Sequence, residues 1–167
     1  MEKNTANNVD VIEALAAKEY FMCYHEGLNR RVDDSINSRL NYGYAVVRSA
    51  IARSLVLVGF HPTFGIHHNS QLNAFNLTDD LIEPYRAIVD VVVHKNIGSN
   101  VKLSFGERRE IAYVLHNSCM IDGIKVNVLT AIDMMCESLK RIVLEASKEK
   151  LLLTFILPVE SMEGITE

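Results

Sequence analysis

The stretch SINSRLNYGYAVVRSAIARSLVLVG, residues 35–59, decides the architecture. Ile36, Leu40, Val47, Ile51, Leu55 and Val58 recur at helical spacing, and Tyr44 fills the gap in the stripe. Ser35 or Asp34 is placed to cap this helix, and Gly59 to end it. Working towards the N-terminus, a first helix is expected from Val9 or Asp10 to Tyr24. Asp10 can cap it, Glu13 falls three residues later as in a capping box, and the alanines at 14, 16 and 17 favour helix.

Towards the C-terminus, residues 60–74 read as a loop, with Pro62, Gly65 and a polar run through Asn73. A third helix is expected to start between Asn76 and Asp79 and to carry Leu81, Ile82, Tyr85, Ile88, Val91 and Val92. Pro84 then sits within its first turns, where a missing N–H costs least. A fourth helix covers residues 106–118, with Ser104 as its cap. Asp122-Gly123 between short apolar runs signals a type I′ hairpin. A last helix carries Leu129, Ile132, Cys136, Leu139, Val143 and Ala146. The fold class is all-α, a helical bundle with a small β-hairpin. Its expected parts are a loose N-terminus or linker (residues 1–8), the helical domain (9–157) and an acidic flexible tail (158–167).

Of the 167 residues, 49% are hydrophobic and 23% charged, with a net charge of −4, which excludes a disordered chain. The longest apolar runs, such as residues 151–157, are far shorter than a membrane span of roughly 20 residues. The opening ten residues are polar, so no export leader is read there. Cys23, Cys119 and Cys136 are odd in number and widely spaced, which fits core thiols in a reducing cytoplasm rather than a disulfide framework. The charge is unevenly spread. Residues 25–60 carry a net +2 and residues 94–109 a net +3, while acid gathers at Asp79, Asp80, Glu83 and Asp90. Basic surface beside an acidic cluster suits a metal-dependent enzyme acting on phosphates, while an ordinary mixed surface is the plainer reading of charge alone.

The chemically richest stretch is Gly65-Ile66-His67-His68 followed by Asp79, Asp80 and Glu83. Imidazole and carboxylates together suit a divalent metal. Adjacent histidines on an extended segment point opposite ways, so one of the two is the expected ligand. Asp80 and Glu83, three apart on one helix, share a face. Each has a plainer reading as well: a loop histidine satisfied by a polar neighbour, and acids favoured at a helix start, Asp79 above all. Glu13, on an otherwise apolar helix, is either a third carboxylate for the site or the capping-box glutamate. No nucleophile motif, zinc-binding spacing or phosphate-binding glycine loop is present.

Four blocks carry a resemblance. They are EALAAKEYF (13–21), DSINSRLNYGYAVVR (34–48), GFHPTFGIHH (59–68) and NAFNLTDDLIEPYR (73–86), joined by the Ile121-Asp122-Gly123 hairpin. Together they resemble the first-glutamate helix, the D-x-x-N-x-x-L-N-Y-G-Y helix, the G-x-x-P-x-x-G-x-x-H segment and the F-N-L-x-x-D-L-M-E-P-F-R block of the universal CRISPR-associated adaptation integrases, in their type II form. The likeness runs from about Val9 to Leu157. Family members are longer and open with a β-rich domain that helps form the dimer, whereas this sequence begins at the helical domain.

The resemblance implies a catalytic and metal-binding set of Glu13, His68 and Glu83, with Asp80 as a second acid near the metal. It implies Mg²⁺ or Mn²⁺ as cofactor and duplex DNA, both spacer precursor and repeat, as substrate. The implied protein partners are a second copy of the chain and the small CRISPR adaptation protein of the Cas-two family. The implied reaction is direct attack of a DNA 3′-hydroxyl on a repeat phosphodiester without a covalent enzyme intermediate, and the same site would cleave DNA with water. Arg39, Arg48, Arg86, Lys95 and Lys102 are the candidate phosphate contacts, although arginines on helices also cover apolar surface. A nucleotide phosphohydrolase and an inactive structural fragment are the rival readings.

Overall fold

The computed structural model describes Glu19, residues 35–95 and residues 102–155. The expected first helix, with Glu13 and Cys23, lies outside the described residues apart from Glu19, which is helical and exposed. The tail from residue 158 also lies outside them.

Helix α1 spans Ser35–Leu57. The whole expected stripe of Ile36, Leu40, Tyr44, Val47, Ile51, Leu55 and Val58 is buried. Three further helices pack on α1: α3 (Glu83–Lys95), α4 (Phe105–Ala112) and α5 (Val128–Val143), while the short α2 (Asn76–Leu81) meets its C-terminal half. Close approach to α3 and α4 needs a residue with no side chain. A Cβ on Gly43 would lie 2.5 Å from Val89 Cγ1 and 3.1 Å from Ile111 Cγ2.

One helix was expected where there are two. α2 ends at Leu81 and α3 begins at Glu83, with Ile82 between them. Pro84 cannot donate to the carbonyl of Asp80, and its ring crowds that same carbonyl. The chain closes instead through a tighter bond from Tyr85 N to Ile82 O of 2.8 Å. Asp80 and Glu83 therefore belong to two helices joined at Ile82, rather than to the single helix expected.

The Ser104 cap is present with its full reciprocal pair: Glu107 N donates to Ser104 Oγ (3.2 Å) and Ser104 N to Glu107 Oε2 (2.8 Å). α4 is shorter than expected and tightens into a 3₁₀ turn over Tyr113–His116. The hairpin pairs β1 (Ser118–Ile121) with β2 (Ile124–Asn127), Asp122 and Gly123 both having positive φ as a type I′ turn requires. A two-residue strand β3 (Thr154–Phe155) adds to the other edge of β1, giving the order β2-β1-β3. Asn127 caps α5 by accepting from Thr130 N at 2.8 Å. The last part of the expected α5 stripe is wrong: Val143 is exposed, and Ala146 lies beyond the helix with φ 51°. Cys119 and Cys136 are buried in the core as expected, and burial pushes the Cys136 thiol up to about 11. Among the described residues, no helix is long and apolar enough to cross a membrane.

Glu107 does more than cap α4. It accepts from Nε of Arg39 on α1 at 3.0 Å and makes a second, shorter contact with Arg39 Nη2, while Arg39 Nη1 donates to Ser35 O at 2.7 Å. The hydrogen bond from Ser104 N, followed by that from Arg39, holds the Glu107 carboxyl down at about 2. A carboxyl lowered in the folded state stabilises the fold above its ordinary value and stops doing so as pH falls through the folded one. The stability difference between wild type and Glu107→Gln is therefore expected to be full at about pH 6 and to close between pH 4.5 and about 2, as read by urea denaturation. Gly43→Val is expected to cost about 1–3 kcal/mol at neutral pH by overpacking the α1–α3 contact, measured in the same way.

Candidate functional site

The loop between α1 and α2 is fastened at several points. Leu77 N donates to Pro62 O (2.8 Å), and Asn76 Nδ2 donates to Thr63 O (3.0 Å) and Ser70 O (2.8 Å). Arg48 reaches over from α1 and pairs with Asp79, Nη2 lying 3.0 Å from Oδ2, and also donates to Asn73 Oδ1 at 3.1 Å. Its guanidinium lies 4.5 Å from the centre of the Phe75 ring. Asn73 Nδ2 completes this group with a 2.7 Å bond to Asp79 Oδ2. Phe64, Ile66 and Leu72 are exposed on the same loop.

Within this frame, residues 65–68 curl around the carboxylate of Asp80. Oδ2 accepts from Ile66 N (2.5 Å) and His67 N (3.0 Å), and Oδ1 accepts from His68 N (3.0 Å). His68 Nδ1 lies 2.6 Å from Oδ1. Gly65 is required by this curl. A Cβ there would fall 2.1 Å from His68 O and 2.9 Å from Asp80 Oδ2. Burial pushes the Asp80 carboxyl up, but hydrogen bonds from the His67 and His68 amides, the His68 ring and the Ile66 amide outweigh it and hold it below the usual carboxylate range. The segment is not extended, so the histidine rings do not point opposite ways. They meet edge to face, 5.5 Å between centres.

The two partners are unequally exposed: the Asp80 side chain is 8% accessible and that of His68 45%. Glu83 begins α3 with its carboxylate half exposed, 2.9 Å from Arg86 Nε. The Arg86 guanidinium sits 5.0 Å from the centre of the Tyr44 ring, and the Tyr44 hydroxyl donates to the buried carboxylate of Asp90. Glu13 lies outside the described residues. Among those described, no three His, Cys, Asp or Glu side chains converge as a metal site.

The basic candidates divide. Lys95 and Lys102 are exposed on either side of residues 96–101. Arg48 and Arg86 keep partial exposure while holding Asp79 and Glu83. Arg39 is a correction: it is fully buried and engaged by Glu107 and Ser35, so its guanidinium has no surface to offer a phosphate. The sequence reading missed Asn73 and Asn76 as the residues that pin the loop. Their place in the NAFNLTDDLIEPYR block, among turn-forming residues, was the available signal.

The family model described as CRISPR associated protein Cas1 matches residues 1–124, which includes the 65–68 loop, Asp80 and Glu83. The chain belongs to the Cas1 family. The CRISPR-associated endonuclease Cas1 of Neisseria meningitidis serogroup C is 37% identical over 155 residues, covering 90% of this chain and 51% of that protein. A Cas1 endonuclease of Francisella tularensis subsp. novicida is 35% identical over 104 residues, covering 54% of this chain and 32% of its own length. The chain thus spans about half the length of the meningococcal relative. Among solved structures, a casposase bound to integration product superposes with a TM-score of 0.73 over 86% of this chain and 52% of that one. At 20% identity this likeness shows the shared fold.

Gly65→Ala is expected to expel the loop from the Asp80 carboxylate, because the new methyl group collides with backbone rather than with a movable side-chain end. Amide hydrogen exchange at residues 66–68 is expected to rise to that of an open loop while the core amides of α1 stay protected.

Proposed function

We propose that this Cas1-family chain is the catalytic helical domain, residues 9–157, of a CRISPR adaptation integrase, joining DNA 3′-ends to repeat phosphodiesters and cleaving DNA when water takes the place of the hydroxyl. The observation that carries this reading is the exposed His68 ring held through Nδ1 by the Asp80 carboxylate at 2.6 Å. A histidine fixed in this way, with its second nitrogen unbonded among the described residues, is the donor chemistry of a divalent metal ligand.

Glu13, His68 and Glu83 would hold Mg²⁺ or Mn²⁺. A bound ion supplies charge neutralisation at the phosphate and a lowered barrier to deprotonating the attacking oxygen. Glu83 is half exposed and, among the described residues, its carboxylate is held by a surface ion pair to Arg86, an interaction weak enough to be exchanged. On release Arg86 is free to meet a phosphate oxygen. Lys95 and Lys102 provide sequence-independent backbone contacts, and Arg48 orders the loop that presents His68. The reaction needs positioning and charge neutralisation rather than a protein nucleophile, consistent with buried thiols at 119 and 136. The names of the relatives support the endonuclease part of the reading, and the casposase fold supports the integration part. Duplex DNA, a second copy of the chain and the small CRISPR adaptation protein are the partners this role requires, in the cytoplasm.

Mn²⁺ titration of the metal-free chain tests the assignment. His68→Ala, Glu83→Gln and Glu13→Gln are each expected to weaken binding at least about tenfold and to abolish strand transfer on a duplex bearing a free 3′-hydroxyl. Unchanged Mn²⁺ affinity in His68→Ala would remove the metal reading. Metal-dependent hydrolysis of free nucleotides with no action on DNA would replace the integrase with a phosphohydrolase.

A further inference from the structure

The Asp80 carboxylate has four lone-pair sites and four donors around it. Ile66 N and His67 N occupy Oδ2, and His68 N and the His68 ring nitrogen occupy Oδ1. Binding a cation through either oxygen would require giving up at least one of these bonds. Three come from main-chain amides of the loop itself, so a cation taking their place would unfasten the loop from Asp80. Gly65 packs against Oδ2, in a space where even a Cβ would be too close. Asp80 is thus closed to a metal by its own hydrogen bonds, and the exposed member of the pair is the imidazole.

The ring contact also has a direction. An ionised carboxylate only accepts, so the hydrogen between Oδ1 and the ring belongs to Nδ1. Neutral His68 must then carry its proton on Nδ1 and its lone pair on Nε2. Free imidazole side chains favour the opposite tautomer, so the Asp80 contact has to select this one. Nε2 makes no hydrogen bond to any described residue.

We propose that Asp80 is a positioning residue rather than a metal ligand: it fixes His68 in the Nδ1–H tautomer and presents Nε2 as the ligating atom. This rests on the reading of His68 as a ligand given above and revises the role expected for Asp80. It also accounts for the short spacing from Gly65 to His68. One turn of chain must bring three amides and one ring to a single carboxylate, and only a residue without a Cβ fits at its start.

The decisive measurement uses the metal-free chain at a pH where histidine is neutral. Two- and three-bond ¹H–¹⁵N correlation reports the tautomer of each ring without any variant. His68 of the wild type is expected in the Nδ1–H form. In Asp80→Asn the isosteric amide no longer offers acceptors on both sides, and His68 is expected to move towards Nε2–H. Mn²⁺ affinity is expected to fall about 10–100-fold, as is usual when the outer partner of a histidine ligand is lost. Asp80→Glu, which restores a carboxylate, is expected to recover part of the Nδ1–H signal. A wild-type His68 in the Nε2–H form overturns the proposal. So does Asp80→Asn that loses Mn²⁺ as fully as His68→Ala while its His68 tautomer is unchanged, since Asp80 would then be a ligand itself. If His68→Ala leaves Mn²⁺ affinity intact, the metal reading fails, and the tautomer of the metal-free chain still decides the orienting role.

Discussion

Helix α1 packs against every other described helix, so its side chains must satisfy apolar and polar neighbours at the same time. The apolar requirement is met by the stripe from Ile36 to Leu55 and by the gap at Gly43. The polar requirement is met by three side chains, each tied to a different helix. Arg39 binds Glu107 of α4, Tyr44 binds Asp90 of α3, and Arg48 binds Asp79 of α2. A charge taken out of water needs a partner, and such a partner is directional where apolar packing is not. These ties therefore set the rotation and height of α2, α3 and α4 against α1, beyond what hydrophobic contact alone defines.

The same ties decide which cations remain available to a polyanion. A guanidinium at the middle of such a network is structural, as Arg39 is. One at its edge, such as Arg48 or Arg86, divides its hydrogen bonds between a protein carboxylate and the surface. Lys95, the last residue of α3, and Lys102, ahead of α4, make no ion pair with another described residue. The basic character seen between residues 25 and 60 is thus spent partly inside the protein.

Much of this was legible in the sequence. The α1 stripe, the Ser104 cap and the Asp122-Gly123 turn are local patterns, and local geometry settled them. The family blocks singled out His68, Asp80 and Glu83, of which the structure joins the first two. What the sequence did not disclose is non-local. Pairing of Arg39 with Glu107 spans 68 residues, and no periodicity signals it. β3 is two residues long and exists only because β1 offers it an edge. The break at Ile82 had a visible cause in Pro84, but a proline near a helix start is as often tolerated as disruptive. His67 and His68 were read as an extended pair because the carboxylate they wrap lies a dozen positions further on.

The break at Ile82 also separates two things that a continuous helix would have kept in step. Asp80 and the His68 loop form one unit, and Glu83 rides on the other side of the joint with α3. With Tyr85 N bonded to Ile82 O, the span between the imidazole and the Glu83 carboxylate depends on the turn at Ile82 and on how α3 seats on α1, where Gly43 meets Val89. Interior packing in the middle of the bundle thus becomes a tuning screw for the distance between two groups at its surface.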